Sequence, residues 1–435
     1  MKWKRLVAEI LAVCCLTGCM AASEEQVVNS GSEPSAPSVS TSGETTRLTF
    51  RYHVSRDAPD HSSVEIYKAV DAFNESNPYN IFVETLWLSD LEAEMQPSVE
   101  TDLYWDYDLS RKNVAEGEYL DLAPYLNQDS DWKQSFRGGI LNQMTVEDGV
   151  YGIPLSINYS YLYYDIELFE QAGVNAADIE TWQDFLDVCR SLKAAEIEPL
   201  SSSLDFYYEP ELYAAYAVYR FGGREAVEAI GNLDKNATFF QPCFERACAL
   251  AAQLYEENYV QVNDSLYQSG PAAIFRHHTM YQLSERFDNE APREDFGVLP
   301  FPQVQEPLGT SKQWIGVAEN IAVSSKTEHP ELAVEFLKYM TSDPVQRALL
   351  EEAWQVPAVQ AVDYDVEKVP RHIREVIEYT AQEGVETFPP LEWRWGLDIY
   401  NVFYSPLDSV VRGEQTPQEA MRSAQEEYQA LRKSA

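Results

Sequence analysis

Leu48-Thr49-Phe50-Arg51-Tyr52-His53-Val54 carries the β-branched and aromatic side chains of a strand. Behind it Ile66, Ala69, Val70 and Phe73 recur at helical spacing up to an Asn77-Pro78 stop, and Ile81 to Leu88 read as a second strand. Strand, helix, strand in that order is a crossover unit, which places the two strands parallel and demands helices over the faces of their sheet. The alternation continues. Trp182, Phe185, Leu186, Cys189 and Leu192 form an apolar face behind a Thr181/Asp184 capping box. Pro330 stands where a first-turn proline is welcome, ahead of Ala333, Phe336, Leu337 and Met340. Thr416-Pro417-Gln418-Glu419 caps a terminal amphipathic helix through Ala420, Met421, Ala424, Tyr428 and Leu431. The fold class is α/β.

The N-terminus reads as an address. Lys2, Lys4 and Arg5 precede an apolar run from Leu6 to Leu16, interrupted by Glu9, and the stretch is too short to span a bilayer. Its Leu16-Thr17-Gly18-Cys19 ending resembles the lipobox of bacterial lipoproteins, in which the cysteine sulfur receives a diacylglyceryl group and cleavage falls just before it. That resemblance makes Cys19 the lipidated first residue of an exported chain, held at the outer face of the cytoplasmic membrane. The alternative is an ordinary signal cut near Ala21-Ala22. From Ala21 to Thr46 there is almost no large apolar side chain, so residues 19–46 are expected to be a disordered tether reaching roughly 30 Å.

Charge narrows the partners. Loss of residues 1–18 removes three basic and one acidic side chain and moves the formal charge from −39 to −41. Nucleic acid needs a basic footprint, and no Lys/Arg cluster follows Arg5. Anionic lipid headgroups are equally poor partners for the body, leaving the lipid on Cys19 as the expected membrane contact. Three body cysteines remain, Cys189, Cys243 and Cys248. Cys243 and Cys248, five apart on a helix, lie on different faces, so buried free thiols are expected rather than a bridge.

A series of segments then resembles one family. Gly117-Glu118-Tyr119-Leu120-Asp121-Leu122, Asp148-Gly149-Val150-Tyr151-Gly152-Ile153-Pro154, Leu162-Tyr163-Tyr164-Asp165, Leu168-Phe169-Glu170-Gln171-Ala172-Gly173 and Thr181-Trp182 follow one another, and Gly270-Pro271-Ala272-Ala273-Ile274, Gly297-Val298-Leu299-Pro300-Phe301-Pro302 and Ser324 to Ala333 continue the series. Their order and spacing resemble the family 1 extracellular solute-binding proteins, the sugar receptors of bacterial ABC importers. Two positions depart from the family: Asp165 stands where Asn is usual, and Arg276-His277-His278 replaces a segment that often holds glycine.

The resemblance implies a two-lobe periplasmic-binding-protein-like fold of type II, each lobe a mostly parallel sheet flanked by helices. The expected first lobe is 47–155 with 300–357, and the second is 156–299 with 358–435. Three hinge crossings are expected, near Pro154–Tyr159, Leu299–Phe301 and Val356–Val362. Ligand would bind between the lobes and be enclosed by hinge closure.

Sugars offer C–H faces to aromatic rings and hydroxyl rims to planar polar groups. The chain holds nine Trp and twenty-seven Tyr, most of which are expected in the core. His53, Ser55, Arg56 and Asp57 end the first strand and are expected to face the cleft. Trp105, Asp106 and Asp108 stand where relatives place a cleft aromatic and an acid. Tyr207 and Tyr208 follow a strand ending near Leu200, and Trp393, Trp395 and Tyr400 fall just before a helix, with Trp395 the favoured ring of its pair. Arg276 and His277 are expected to face the cleft from the second lobe.

Neighbouring histidines on a strand point to opposite faces, so a metal site is not expected from His277-His278, and no cofactor is expected. No nucleophile elbow, paired-histidine helix or phosphate loop is present. The expected protein is thus not an enzyme but a monomeric, lipid-anchored receptor that captures a carbohydrate, an oligosaccharide in size, and hands it to ABC permease subunits. The alternatives are a receptor for a peptide, polyamine or other cation, a sensor or adhesion component, and a surface polysaccharide-acting enzyme.

Overall fold

The computed structural model describes residues 45–57, 59–87, 101–106, 109–203, 209–263, 272–278, 292, 294–305, 307, 309 and 312–434. Cys19, nearly all of the expected tether, Asp108, Tyr207 and Tyr208 lie outside the described residues.

The crossover unit at the start forms as expected. β1 (Thr46–Tyr52) and β2 (Ile81–Trp87) pair in parallel around the helix His61–Ser76. That helix begins where the Asp60 carboxylate accepts from the Ser63 N–H at 2.7 Å, and it ends at Asn77, before Pro78. β3 (Leu103–Asp106) joins β1 in parallel, and a small hairpin of β4 (Thr145–Val146) and β5 (Gly149–Val150) follows. The long β6 (Ile153–Asp165) leads to β7 (Glu198–Ser203), β8 (Val260–Asn263), β9 (Ala272–His278) and β10 (Phe296–Leu299). β11 (Gln313–Val323), β12 (Val356–Pro357) and β13 (Glu386–Phe388) complete the strands. The main path runs β2-β1-β3-β11-β6-β9-β7-β8, with β10 and β12 on β6 and β13 on β11.

Two hydrophobic cores flank the antiparallel β6–β11 pair. The first collects Phe50, Ile66, Phe73, Leu103, Phe336, Leu350, Trp354 and Ile373. The second collects Phe185, Val218, Phe239, Phe244, Trp395, Phe403 and Tyr428. Both capping boxes and the first-turn proline expected from sequence form. Thr181 and Asp184 exchange bonds, Pro330 opens the helix Pro330–Met340, and Thr416 with Glu419 caps Pro417–Ser434.

Along the shared strands, membership of the two cores alternates from one residue to the next. On β6, Tyr159 and Tyr161 belong to the first core and Leu162 to the second, while Tyr163 packs against the first and Tyr164 against the second. Val298 and Trp314 belong to the first core, and Leu299, Phe301, Val304 and Ile315 to the second. Ala358, Val369, Ile373, Val376 and Val385 pack in the first core, because the helix Arg371–Thr380 buries its apolar face there.

Cys189, Cys243 and Cys248 are free and buried, as their helical positions suggested. Burial pushes the Cys243 thiol up to about 11 and the other two further still. Among the described residues no helix is long and apolar enough to cross a membrane.

Candidate functional site

Strand register locates a cleft. β1, β2 and β3 are parallel, so their C-terminal ends at Tyr52, Trp87 and Asp106 share one edge. Asp106 lies opposite Asn320 of β11, and Asn320 opposite Pro154 of β6. From the other side β7, β8 and β9 are parallel, and β9 reaches Ser160 of β6 with its C-terminal residue His278. The two sets of strand ends therefore converge from opposite directions and stop six residues apart along β6, roughly 20 Å at ~3.3 Å per residue. Open α/β sheets bind ligands at such carboxyl ends.

A buried polar patch lies on the hinge strands between these ends. Ser156 donates to Glu319 at 3.0 Å and Asn158 to the other oxygen of the same carboxylate at 2.9 Å. Burial pushes the Glu319 pKa up, against the lowering effect of these two donors, and the nearby Asp60 carboxylate adds to the rise. This patch was not among the residues singled out from sequence. Its signal was there: Ser156, Asn158 and Ser160 form a period-two polar row inside a strand that is otherwise apolar.

At the first-lobe edge, His53 lies flat on Trp105, with ring centroids 3.8 Å apart and planes 15° apart. Trp105 is only 7 % exposed and meets Tyr52 edge-on, so it packs in the first core, with His53 over one face of its ring. Trp87 stands at the end of β2, half exposed, and its indole N–H donates to the His53 carbonyl at 3.1 Å. Sequence reasoning passed over it as part of a strand. Asp106 is partly exposed and opposite Asn320, whose amide donates to the Asp106 carbonyl at 3.2 Å. Arg56 is exposed, but its guanidinium forks onto Asp71 at 2.9 and 3.0 Å and lies 4.2 Å above the Tyr67 ring, which ties it to the helix His61–Ser76. Asp57 is exposed beside it, its N–H donating to Ser55 at 3.2 Å.

The second lobe reverses the choice made between two indoles. Trp395 is 4 % exposed, packed edge-on to Phe239 and Phe403, and its N–H donates to the Val227 carbonyl at 2.8 Å. Trp393 is 40 % exposed. Both stand in the one helical turn ahead of the break at Gly396 (φ 73°, ψ 158°) in the helix Leu391–Val411, and two residues apart on that turn they point to different sides, one into the core and one outside. Tyr400 is partly exposed and stacked on Tyr404; burial together with the Glu211 and Glu392 carboxylates holds its hydroxyl well above the usual tyrosine range. Arg276 and His277 lie on β9 opposite Leu162 and Tyr161, near its C-terminal end.

A crevice opens between the two cores. Arg111, Asn142 and Gln143 line it from the first lobe's side, Arg224, Glu228, Trp393 and Arg394 from the second, and Thr387, Phe388 and Pro389 from the hinge. It is narrow, with about 20 Å³ open to water-sized groups. Gln143 holds the hinge directly, donating to the Gly316 carbonyl at 2.8 Å and accepting from the Ala318 N–H at 3.3 Å. Among the described residues no group of three or more His, Cys, Asp or Glu is placed to hold a metal ion.

A cleft between two α/β lobes hinged on long shared strands defines the class, and residues 95–347 match it by sequence: the chain belongs to the bacterial extracellular solute-binding protein family. It is 27 % identical over 256 residues to the maltodextrin-binding protein MdxE of Bacillus subtilis, an alignment spanning 56 % of this chain and 57 % of that protein. To the galactooligosaccharide-binding protein of the same organism it is 23 % identical over 321 residues, 70 % and 71 % of the two chains. The solved GacH receptor of Streptomyces glaucescens, known unliganded and with acarbose, superposes with a TM-score of 0.63 at 17 % identity, covering 90 % of this chain and 99 % of that one.

Proposed function

We propose that this protein is the sugar receptor of an ABC importer, capturing an oligosaccharide between its lobes and presenting the closed form to permease subunits. The observation that carries the proposal is the distribution of tryptophan. Of the eight in the described residues, six are 9 % exposed or less, and the two that are open, Trp87 and Trp393, lie at the first lobe's strand ends and in the interlobe crevice. One indole per lobe gives a sugar a stacking surface on each side, and the contacts to the second lobe are what favour closure. The names of the relatives, which bind maltodextrin and galactooligosaccharide, support the same ligand class. His53, Asp57, Asp106, Tyr400, Arg276 and His277, with Asp108, Tyr207 and Tyr208, are the proposed polar and aromatic complement.

Export and a lipid on Cys19 complete the proposal, with the acidic tether holding a monomeric body near its permease. Mass spectrometry of the mature chain would find a diacylglyceryl-modified Cys19 as first residue. An unmodified N-terminus at Ala22 would refute the anchor alone.

Calorimetric and thermal-shift titration with malto- and galacto-oligosaccharides tests the binding. A ligand at a hundred times its Kd adds about 2.7 kcal/mol of stability. Trp87→Ala and Trp393→Ala should each abolish the shift. Retained binding in both variants, or release of shortened sugars during the titration, would overturn the receptor reading.

A further inference from the structure

The crevice carries a charge opposite to that of the molecule. The chain has 32 basic side chains against 71 acidic ones, yet the charged groups lining the crevice are three arginines, Arg111, Arg224 and Arg394, and one carboxylate, Glu228. All three cations are guanidiniums, the planar fork that pairs with the two oxygens of a carboxylate. We infer that this crevice is an anionic subsite of the sugar cleft, made for the carboxylate of a uronic-acid-containing oligosaccharide. The inference rests on the sugar-receptor reading above and narrows it.

The site is built rather than incidental. Arg394 is 6 % exposed, and its guanidinium is fixed by an ion pair with Glu228 and by the Asn232 side-chain oxygen at 3.0 Å. Arg224 lies 3.5 Å from the same Glu228 with nearly half of its side chain open to solvent, so a single carboxylate anchors two guanidiniums. Two helix breaks shape this wall. Gly223 and Gly396 adopt φ of 67° and 73° inside otherwise helical runs, and they stand beside Arg224 and close to Arg394. Trp393 lies in the same crevice, supplying a flat ring next to the guanidiniums, as a sugar ring bearing a carboxylate requires. Because Arg111 comes from the first lobe's side and Arg224 and Arg394 from the second, an anion there draws the lobes together, and its contacts count toward closure.

The test is calorimetry on the full chain with trigalacturonate, its fully methyl-esterified form and maltotriose, at low and high salt. The expected result is at least tenfold tighter binding of the acid than of the ester, a gap that narrows with salt. Arg224→Gln and Arg111→Gln, both changes at exposed positions, should lower the affinity for the acid at least tenfold more than that for the ester. Equal affinity for acid and ester, or neutral sugar bound and the acid refused, overturns the inference and leaves the sugar receptor standing. Displacement of trigalacturonate by inorganic phosphate at equal concentration overturns the carboxylate assignment. Failure of all three sugars to bind refutes the proposed function itself.

Discussion

The two sides of the cleft present the same kind of ring by different constructions. In the first lobe Trp87, His53 and Trp105 come from the ends of β2, β1 and β3, so a parallel sheet sets them side by side through its register. In the second lobe Trp393, Arg394 and Arg224 come from two helices far apart in sequence, each broken at a glycine, and an ion pair welds them together. Each region holds one open indole and one buried indole. The open ring is available for recognition, whereas the buried ring holds the framework behind it.

That contrast is easiest to break with tryptophan deletions. Trp395→Ala should cost about 3–5 kcal/mol of stability, the usual figure for an aromatic removed from a core, and Trp105→Ala a similar amount. Trp393→Ala and Trp87→Ala should each change stability by less than about 1 kcal/mol, since exposed substitutions seldom do more. Urea unfolding followed by circular dichroism measures all four. Equal losses at Trp393 and Trp395 would erase the distinction between the open and the buried ring.

Glycine substitutions come next. Gly223→Ala and Gly396→Ala meet no atom within 4 Å of the added carbon, yet each must hold a positive φ. The expected cost is about 1–3 kcal/mol apiece. A neutral outcome in the same unfolding measurement would mean that the helix breaks are not held in place by the crevice wall.

The hinge that joins the two regions supplies a pH signature. The Glu319 pKa is raised in the folded protein, so between its ordinary value of ~4.3 and the raised one the folded chain binds more protons than the unfolded chain. Its contribution to stability is therefore fully present below the ordinary value and is lost as pH rises through the raised one. Glu319→Gln should flatten that part of the stability profile measured by thermal melts. An identical slope in the variant would show that Glu319 does not titrate in this window.

Smallest of all is the expected response of the thiols. Cys189, Cys243 and Cys248 should resist a thiol reagent at neutral pH in the folded protein and react only in denaturant, because burial disfavours each thiolate. Rapid labelling of Cys243 alone would place it nearer the surface than its packing against Gly222 indicates.

Much of the scaffold was legible without coordinates. Apolar spacing from Ile66 to Phe73, the Thr181 and Thr416 caps and the Asn77-Pro78 stop are local signals, and each produced the helix it announced. The site was less legible, and Trp393 against Trp395 shows why. Two residues apart on one helical turn, they carry identical chemistry in sequence, and only the packing of that turn against Phe239 and Phe403 decides which enters the core. Trp87 looked like one more strand residue because nothing local distinguishes the last position of a strand from an inner one. Ser156, Asn158 and Glu319 meet only when β6 and β11 pair in a specific register.

Sequence alone determined the fold class, the helix boundaries and the family, since these rest on periodicity, caps and motif order, which are properties of neighbouring residues. Tertiary structure decided which segments share each core, which rings stay open and which arginines share a carboxylate. Those depend on pairings between segments a hundred or more residues apart, where a one-residue shift in register turns a side chain from solvent to core.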